Sequence, residues 1–101
     1  MAKELKKAIR AAFRGVVFAR DGHRCVFCPR TQELDAHHIT DRNLMPNGGY
    51  VAANGITLCP DHHFRAESFE MTHDLKFHPD KLYKLIGSSH RAALSASVKD
   101  L

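Results

Sequence analysis

From about Ala2 to Arg20 the apolar side chains Leu5, Ile9, Ala12, Phe13, Val16 and Val17 recur at helical spacing. Lys6, Arg10 and Arg14 fall on the other side, which is the pattern of an amphipathic helix. Gly15 weakens this helix slightly, and Asp21-Gly22 ends it. Arg24-Cys25-Val26-Phe27-Cys28-Pro29 then reads as a tight knuckle, and the segment around Leu34–Ile39 has strand character. Residues 40–55 form a long polar connection holding Met45-Pro46-Asn47-Gly48-Gly49-Tyr50 and Asn54-Gly55; a loop of that length in a small domain is usually functional. Ile56-Thr57-Leu58 reads as a short strand entering a second knuckle, Cys59-Pro60-Asp61-His62, from which a helix carries His63, Arg65 and Glu67. Residues 68–78 fit neither helix nor strand clearly. Pro79 is placed as the first residue of a helix running to Ile86, stopped by Gly87, and Ser88 or Ser89 can cap a last helix through Ala92-Ala93-Leu94.

With 101 residues there is room for one domain and a modest core, so a metal staple would help appreciably. The composition, 44% hydrophobic and 26% charged with no long apolar run, is that of a soluble globular protein and leaves no candidate membrane span. No apolar stretch follows the first lysines, so a cytoplasmic location is expected. The net charge of +4 conceals an asymmetry. Residues 1–30 carry eight Lys/Arg against Glu4 and Asp21, a surplus of six, so the remainder sums to two negative charges. A basic leading segment is a plausible phosphate-backbone surface, and on charge alone equally a solvated helix face.

The three cysteines, Cys25, Cys28 and Cys59, cannot all pair within the chain. Cys25-x2-Cys28 and Cys59-x2-His62 together offer three sulfurs and one imidazole, the set that tetrahedral zinc takes. This uses every cysteine. A redox C-x-x-C would sit at a helix start in a βαβ unit, which the sequence lacks, and buried inert thiols would not explain the second knuckle. A zinc ligated four times by protein has no open position and is structural.

Three more histidines lie beside the knuckles. Adjacent residues on a strand face opposite ways, so His37 and His38 have different jobs, while His63 follows a zinc ligand directly. Together, Cys25-x2-Cys28, Ala36-His37-His38-Ile39, Asn54, Cys59-x2-His62 and His63, with the Arg20-Asp21-Gly22 lead-in, resemble the zinc-containing HNH endonucleases of the ββα-metal class. The resemblance spans about residues 16–67. It implies that His38 is the general base activating a water, and that His37 is the first ligand of a catalytic divalent ion, where many members have Asp. It implies that His63 is the second such ligand, and that Asn54 either binds metal or pins the loop holding the base. Products would carry 5′-phosphate and 3′-hydroxyl ends. Histidine suits the proton abstraction, and a divalent ion suits the charge at the phosphate. Taken singly, the same residues have plainer readings: a partly buried His pair, an Asn-Gly hairpin turn, and a His63 competing with His62 for the zinc.

Arg42 and Arg65 are candidates for phosphate contact, with Arg10 and Arg14 on the basic helix. Asp41 can orient an imidazole, bind metal or cap the loop, and Glu67 shares the helix face of His63. The expectation is an α+β fold in one domain over 1–101: a basic helix over 1–20, a zinc-stapled ββα-metal core over 21–67, and a C-terminal helical extension over 68–101. The expected function is metal-dependent cleavage of DNA, with structural Zn²⁺ and a catalytic Mg²⁺, Mn²⁺, Ni²⁺ or Zn²⁺. A monomer would nick, and a dimer could cut both strands. The rival class is a non-catalytic zinc-knuckle module binding nucleic acid or protein, and an RNase on the same scaffold is the nearer alternative.

Overall fold

The computed structural model describes residues 2–99. Helix α1 (Ala2–Arg20) leads into the Cys25–Cys28 knuckle and strand β1 (Asp35–His38). A loop with three 3-10 turns (Arg42–Leu44, Pro46–Gly49, Ala52–Asn54) crosses to strand β2 (Gly55–Leu58), which feeds α2 (Pro60–Glu67). Helix α3 (Phe69–Thr72), a 3-10 turn (Leu75–Phe77), α4 (Pro79–Leu85) and α5 (His90–Lys99) follow. The described residues thus form an α+β unit of five helices and one two-stranded antiparallel sheet, with Asp35 opposite Leu58 and His38 opposite Gly55. No helix among them is long and apolar enough to cross a membrane.

Strand β2 is the axis of the core. Ile56 and Leu58 are wholly buried and gather Cys25, Cys59, Phe77, Leu82, Tyr83 and Ala93 around them. Across the sheet, α1 seats Phe13 and Val17 over Gly55, where a Cβ would stand 2.5 Å from Val17 and 2.7 Å from the Phe13 ring. Only glycine lets the helix approach so closely. The junction is fastened by Arg20 and Asp21. The Arg20 guanidinium donates to both Asp21 oxygens (2.8 and 2.7 Å) and to the carbonyls of Ala52 (2.7 Å) and Gly55 (2.6 Å). Asp21 in turn accepts from the Thr57 N–H at 2.9 Å. Burial works to raise the Asp21 carboxyl, but the bonds from Arg20 and Thr57 outweigh it and hold it below its ordinary value.

The structure departs from the sequence reading in three places. An apolar helix stripe usually faces the core, but of the α1 set only Phe13 and Val17 are buried. Leu5, Ile9, Ala12 and Val16 are exposed, because the core-facing line runs between the apolar stripe and the arginines. Second, Asn54-Gly55 is no hairpin turn. Asn54 closes a 3-10 turn and Gly55 is already extended (φ −126°), so the connection folds on itself and buries Met45, Gly49 and Asn54. Third, residues 68–78 resolve into a single helical turn, a left-handed cap at His73 (φ 54°) and a second short turn capped by Asp74. The helix after Pro79 stops at Leu85, and Ser89 caps α5 by accepting from the Ala92 N–H at 3.0 Å.

Candidate functional site

Two centres adjoin the start of α2. In the first, the knuckle is docked on β2 by the Val26 N–H donating to Thr57 O (3.0 Å) and is closed by the Cys25 N–H donating to Arg30 O (2.9 Å). Cys59 is the N-cap of α2, Pro60 opens that helix with its fixed φ, and His62 follows within the first turn. The ligand atoms of Cys25, Cys28, Cys59 and His62 all lie within 4.8 Å of one another. A tetrahedral zinc with Zn–S of about 2.3 Å and Zn–N of about 2.05 Å requires S···S edges of about 3.8 Å and S···N edges of about 3.6 Å. The observed Cys28–Cys59 and Cys25–His62 separations are 3.8 and 3.6 Å; the Cys59–His62 edge is tighter, at 3.1 Å. The donor set and its spacing therefore fit a metal ion such as zinc. Burial opposes ionisation of Cys59, but the His62 backbone and ring, with Cys28 and Cys25, bring its thiol down to about 6. The ligand sulfur is thereby poised as thiolate. Phe27 stacks on the His62 ring (5.3 Å between centroids) and covers it.

The second centre is an open cleft of about 650 Å³ between β1, the loop and α2, lined among others by His37, His38, Asp41, Arg42, His63 and Glu67. His37 and His63 meet there edge to face, with centroids 5.2 Å apart. Burial, then the charges of His63 and His38, push His37 down to about 4, so the ring is neutral and its lone pair free at neutral pH. His63 lies between two carboxylates, with Asp35 Oδ2 3.5 Å from Nδ1 and Glu67 Oε1 3.6 Å from Nε2. Among the described residues this group does not close into a compact ligand cage as the Cys3His set does. It has room for water or substrate.

His38 also borders this cleft, but its ring turns to the side of β1 that α1 covers. Its ring stacks on Phe13 (4.5 Å) and meets Tyr50 edge-on (4.7 Å). Its Nε2 is buried and has no hydrogen-bond partner among the described residues. Burial, then the positive charge of Arg42, lower the affinity of His38 for a proton, and Asp41 offsets this in part.

Asn54 is wholly buried and fully engaged. Its Oδ1 accepts from the Thr40 N–H (3.0 Å) and the Tyr83 hydroxyl (2.7 Å), and its Nδ2 donates to Thr40 O (3.0 Å) and Gly49 O (3.2 Å). Four bonds use every donor and acceptor of a carboxamide, so the side chain pins the loop and keeps no atom for a metal. Gly49 is held so close, at φ +63°, that a Cβ would stand 2.7 Å from Asn54 Nδ2.

Of the nominated arginines, Arg10 and Arg42 come together. Arg42 donates to the Tyr50 hydroxyl at 3.3 Å, and Arg10, one turn before Phe13, faces the same hydroxyl. Arg65 instead pairs with Asp61 (3.4 Å), and Arg14 lies over the Phe18 ring (5.5 Å). Asp41 caps the first 3-10 turn by accepting from the Asn43 N–H at 2.8 Å. Sequence reasoning missed Asp35, Tyr50, Thr40 and Tyr83. Asp35 was accessible in principle, because a residue two before His37 shares its strand face; the others are joined only by the folded loop.

Comparison with protein-family models, with curated proteins and with solved structures finds no match.

Proposed function

We propose that the chain is a divalent-metal-dependent endonuclease of the HNH type, hydrolysing phosphodiester bonds of DNA. The observation that carries the reading is the division of labour on β1. His37 faces His63 of α2 in an open cleft, while the next residue, His38, borders the same cleft but turns its ring to the α1 side of the strand, against Phe13 and Tyr50. Adjacent histidines with separate, compatible environments suit a metal ligand and a general base. The Cys3His centre is closed by its four ligands and serves folding, while it fixes His63 one residue after His62.

In this reading His37 and His63 hold the catalytic ion, which when bound supplies Lewis-acid neutralisation of the phosphate. His38 takes the proton of the attacking water, and burial, with the charge of Arg42, lowers its affinity for a proton beforehand. Asn54 fixes the chain immediately after β1 through both backbone groups of Thr40, so the His38 backbone cannot drift. Arg10 and Arg42, from distant parts of the chain, converge on the Tyr50 hydroxyl with fixed positive charge suited to a backbone phosphate. A binding-only zinc module accounts for the closed centre and the basic helix but leaves the His37–His63 pair and the His38 environment without a use.

The test is incubation of zinc-loaded protein with supercoiled plasmid and Mg²⁺, Mn²⁺, Ni²⁺ or added Zn²⁺. Nicked circles are expected with at least one ion. Retardation of the plasmid without cleavage under all four would replace the enzyme by a binding module.

A further inference from the structure

The exposed apolar stripe of α1 serves neither centre. Leu5, Ile9 and Val16 are 62%, 39% and 51% exposed, and Ala12 and Ala19 beside them are exposed too. An α-helix of 19 residues is about 28 Å long, yet from Lys3 to Ala12 every residue of this one is exposed, so its N-terminal half stands clear of the domain. Leaving such side chains in water is unfavourable in proportion to the apolar area exposed.

The spacing of the stripe says what covers it. Leu5, Ile9, Ala12, Val16 and Ala19 succeed one another at steps of four, three, four and three residues. That is the a/d alternation of a heptad, a narrow seam that one helix presents to another. In this register Ile9 and Val16 occupy a, and Leu5, Ala12 and Ala19 occupy d. β-branched residues at a with leucine at d favour a parallel two-stranded pair, and the alanines let the backbones approach.

The flanking positions agree. Lys6, Phe13 and Arg20 fall at e, Ala8 and Gly15 at g. Phe13 is packed on its own sheet and Arg20 is held by Asp21. In a parallel pair e faces the g five residues earlier on the partner, so Phe13 meets Ala8 and Arg20 meets Gly15, with no like charge at either place. Lys3, Lys7, Arg10 and Arg14 fall at the outer b and f positions. A lipid surface would take a broader stripe with aromatic anchors; this stripe has none, and α1's own Phe13 is committed to the sheet.

We propose that α1 is a self-association surface, on which two copies of the chain pair helix to helix through Leu5, Ile9, Ala12, Val16 and Ala19. This does not rest on the nuclease reading. Five side chains bury on the order of several hundred Å² per chain, less than the roughly 800 Å² per partner of a stable complex, so the pair is reversible. The cationic helices repel at a distance, so salt should tighten the dimer by screening them.

Sedimentation velocity on the zinc-loaded full chain tests this, from low micromolar to several hundred micromolar, in low and high salt. Wild type should pass from monomer to dimer over that range, at lower concentration in high salt. Ile9→Glu, with circular dichroism unchanged because the site is exposed, should need at least about tenfold more protein to dimerise. Ala12→Leu, which fills a d position, should dimerise at lower concentration than wild type. A wild type that stays monomeric throughout overturns the proposal, as does an Ile9→Glu variant that pairs like wild type or an Ala12→Leu variant that pairs no better. Monomeric wild type that instead binds anionic phosphatidylglycerol vesicles through Ile9 would reassign the stripe to lipid.

Discussion

Histidines 37 and 38 are chemically identical neighbours set in different surroundings by the two-residue period of a strand. One is half-buried against His63 and the other lies between Phe13 and Tyr50. In the proposed mechanism, His38→Ala should lower cleavage by about 10²–10⁴-fold, the usual worth of a general base, with fold and zinc content unchanged. Single-turnover rates on plasmid check this, and wild-type rates in the variant would remove His38 from the mechanism. Asn54 gives the residue scale its stability prediction. Asn54→Ala removes four hydrogen bonds in a dry site and should cost about 2–4 kcal/mol, since the loss strands buried partners. Urea titration of the two proteins measures it. Asp21 supplies the pH dependence. Its folded value lies below the ordinary 3.8, so its contribution is present above that value and is lost as pH falls through the folded one. The stability gap between wild type and Asp21→Asn should therefore be constant from pH 7 to 5.5 and close as acid is added below about 4.

At the scale of elements, the junction of α1 with β2 depends on what Gly55 lacks. Gly55→Ala puts a methyl 2.5 Å from Val17 and should cost roughly 1–3 kcal/mol, with α1 lifted from the sheet. A fall in melting temperature without loss of bound zinc is the expected signature. Much of this layer was legible in the sequence because its signals are local. Helix stops at Gly22 and Gly87, Pro60 and Pro79 at first helical positions, and the paired knuckles each need only a few consecutive residues to be read. The loop between the strands was not legible, since its order comes from Tyr83, 29 residues from Asn54, and from Ser97, whose carbonyl accepts from Asn47 Nδ2 at 2.8 Å. The core-facing side of α1 misled for a related reason. The sequence shows where apolar residues lie on a helix, and the sheet takes only the two that fit over Gly55.

For the whole molecule, the Cys3His cluster and the cleft share α2, and this joins fold to site. Cys59 and His62 anchor the start of the helix, and His63 follows with Glu67 one turn on. In a 101-residue chain a four-ligand metal would supply a large share of the folding free energy, so its removal should unfold the protein. Chelation of wild type, or Cys25→Ser, should abolish the cooperative melt. The central claim is that the two centres divide the work: the Cys3His set holds the fold, and the histidine cleft cuts. The direct measurement takes His37→Ala/His63→Ala beside wild type and determines bound zinc, melting temperature and plasmid nicking on the same samples. Both proteins should retain one zinc and melt cooperatively, with nicking confined to wild type. A double variant that nicks like wild type, or one that loses its zinc and its fold, would contradict the division.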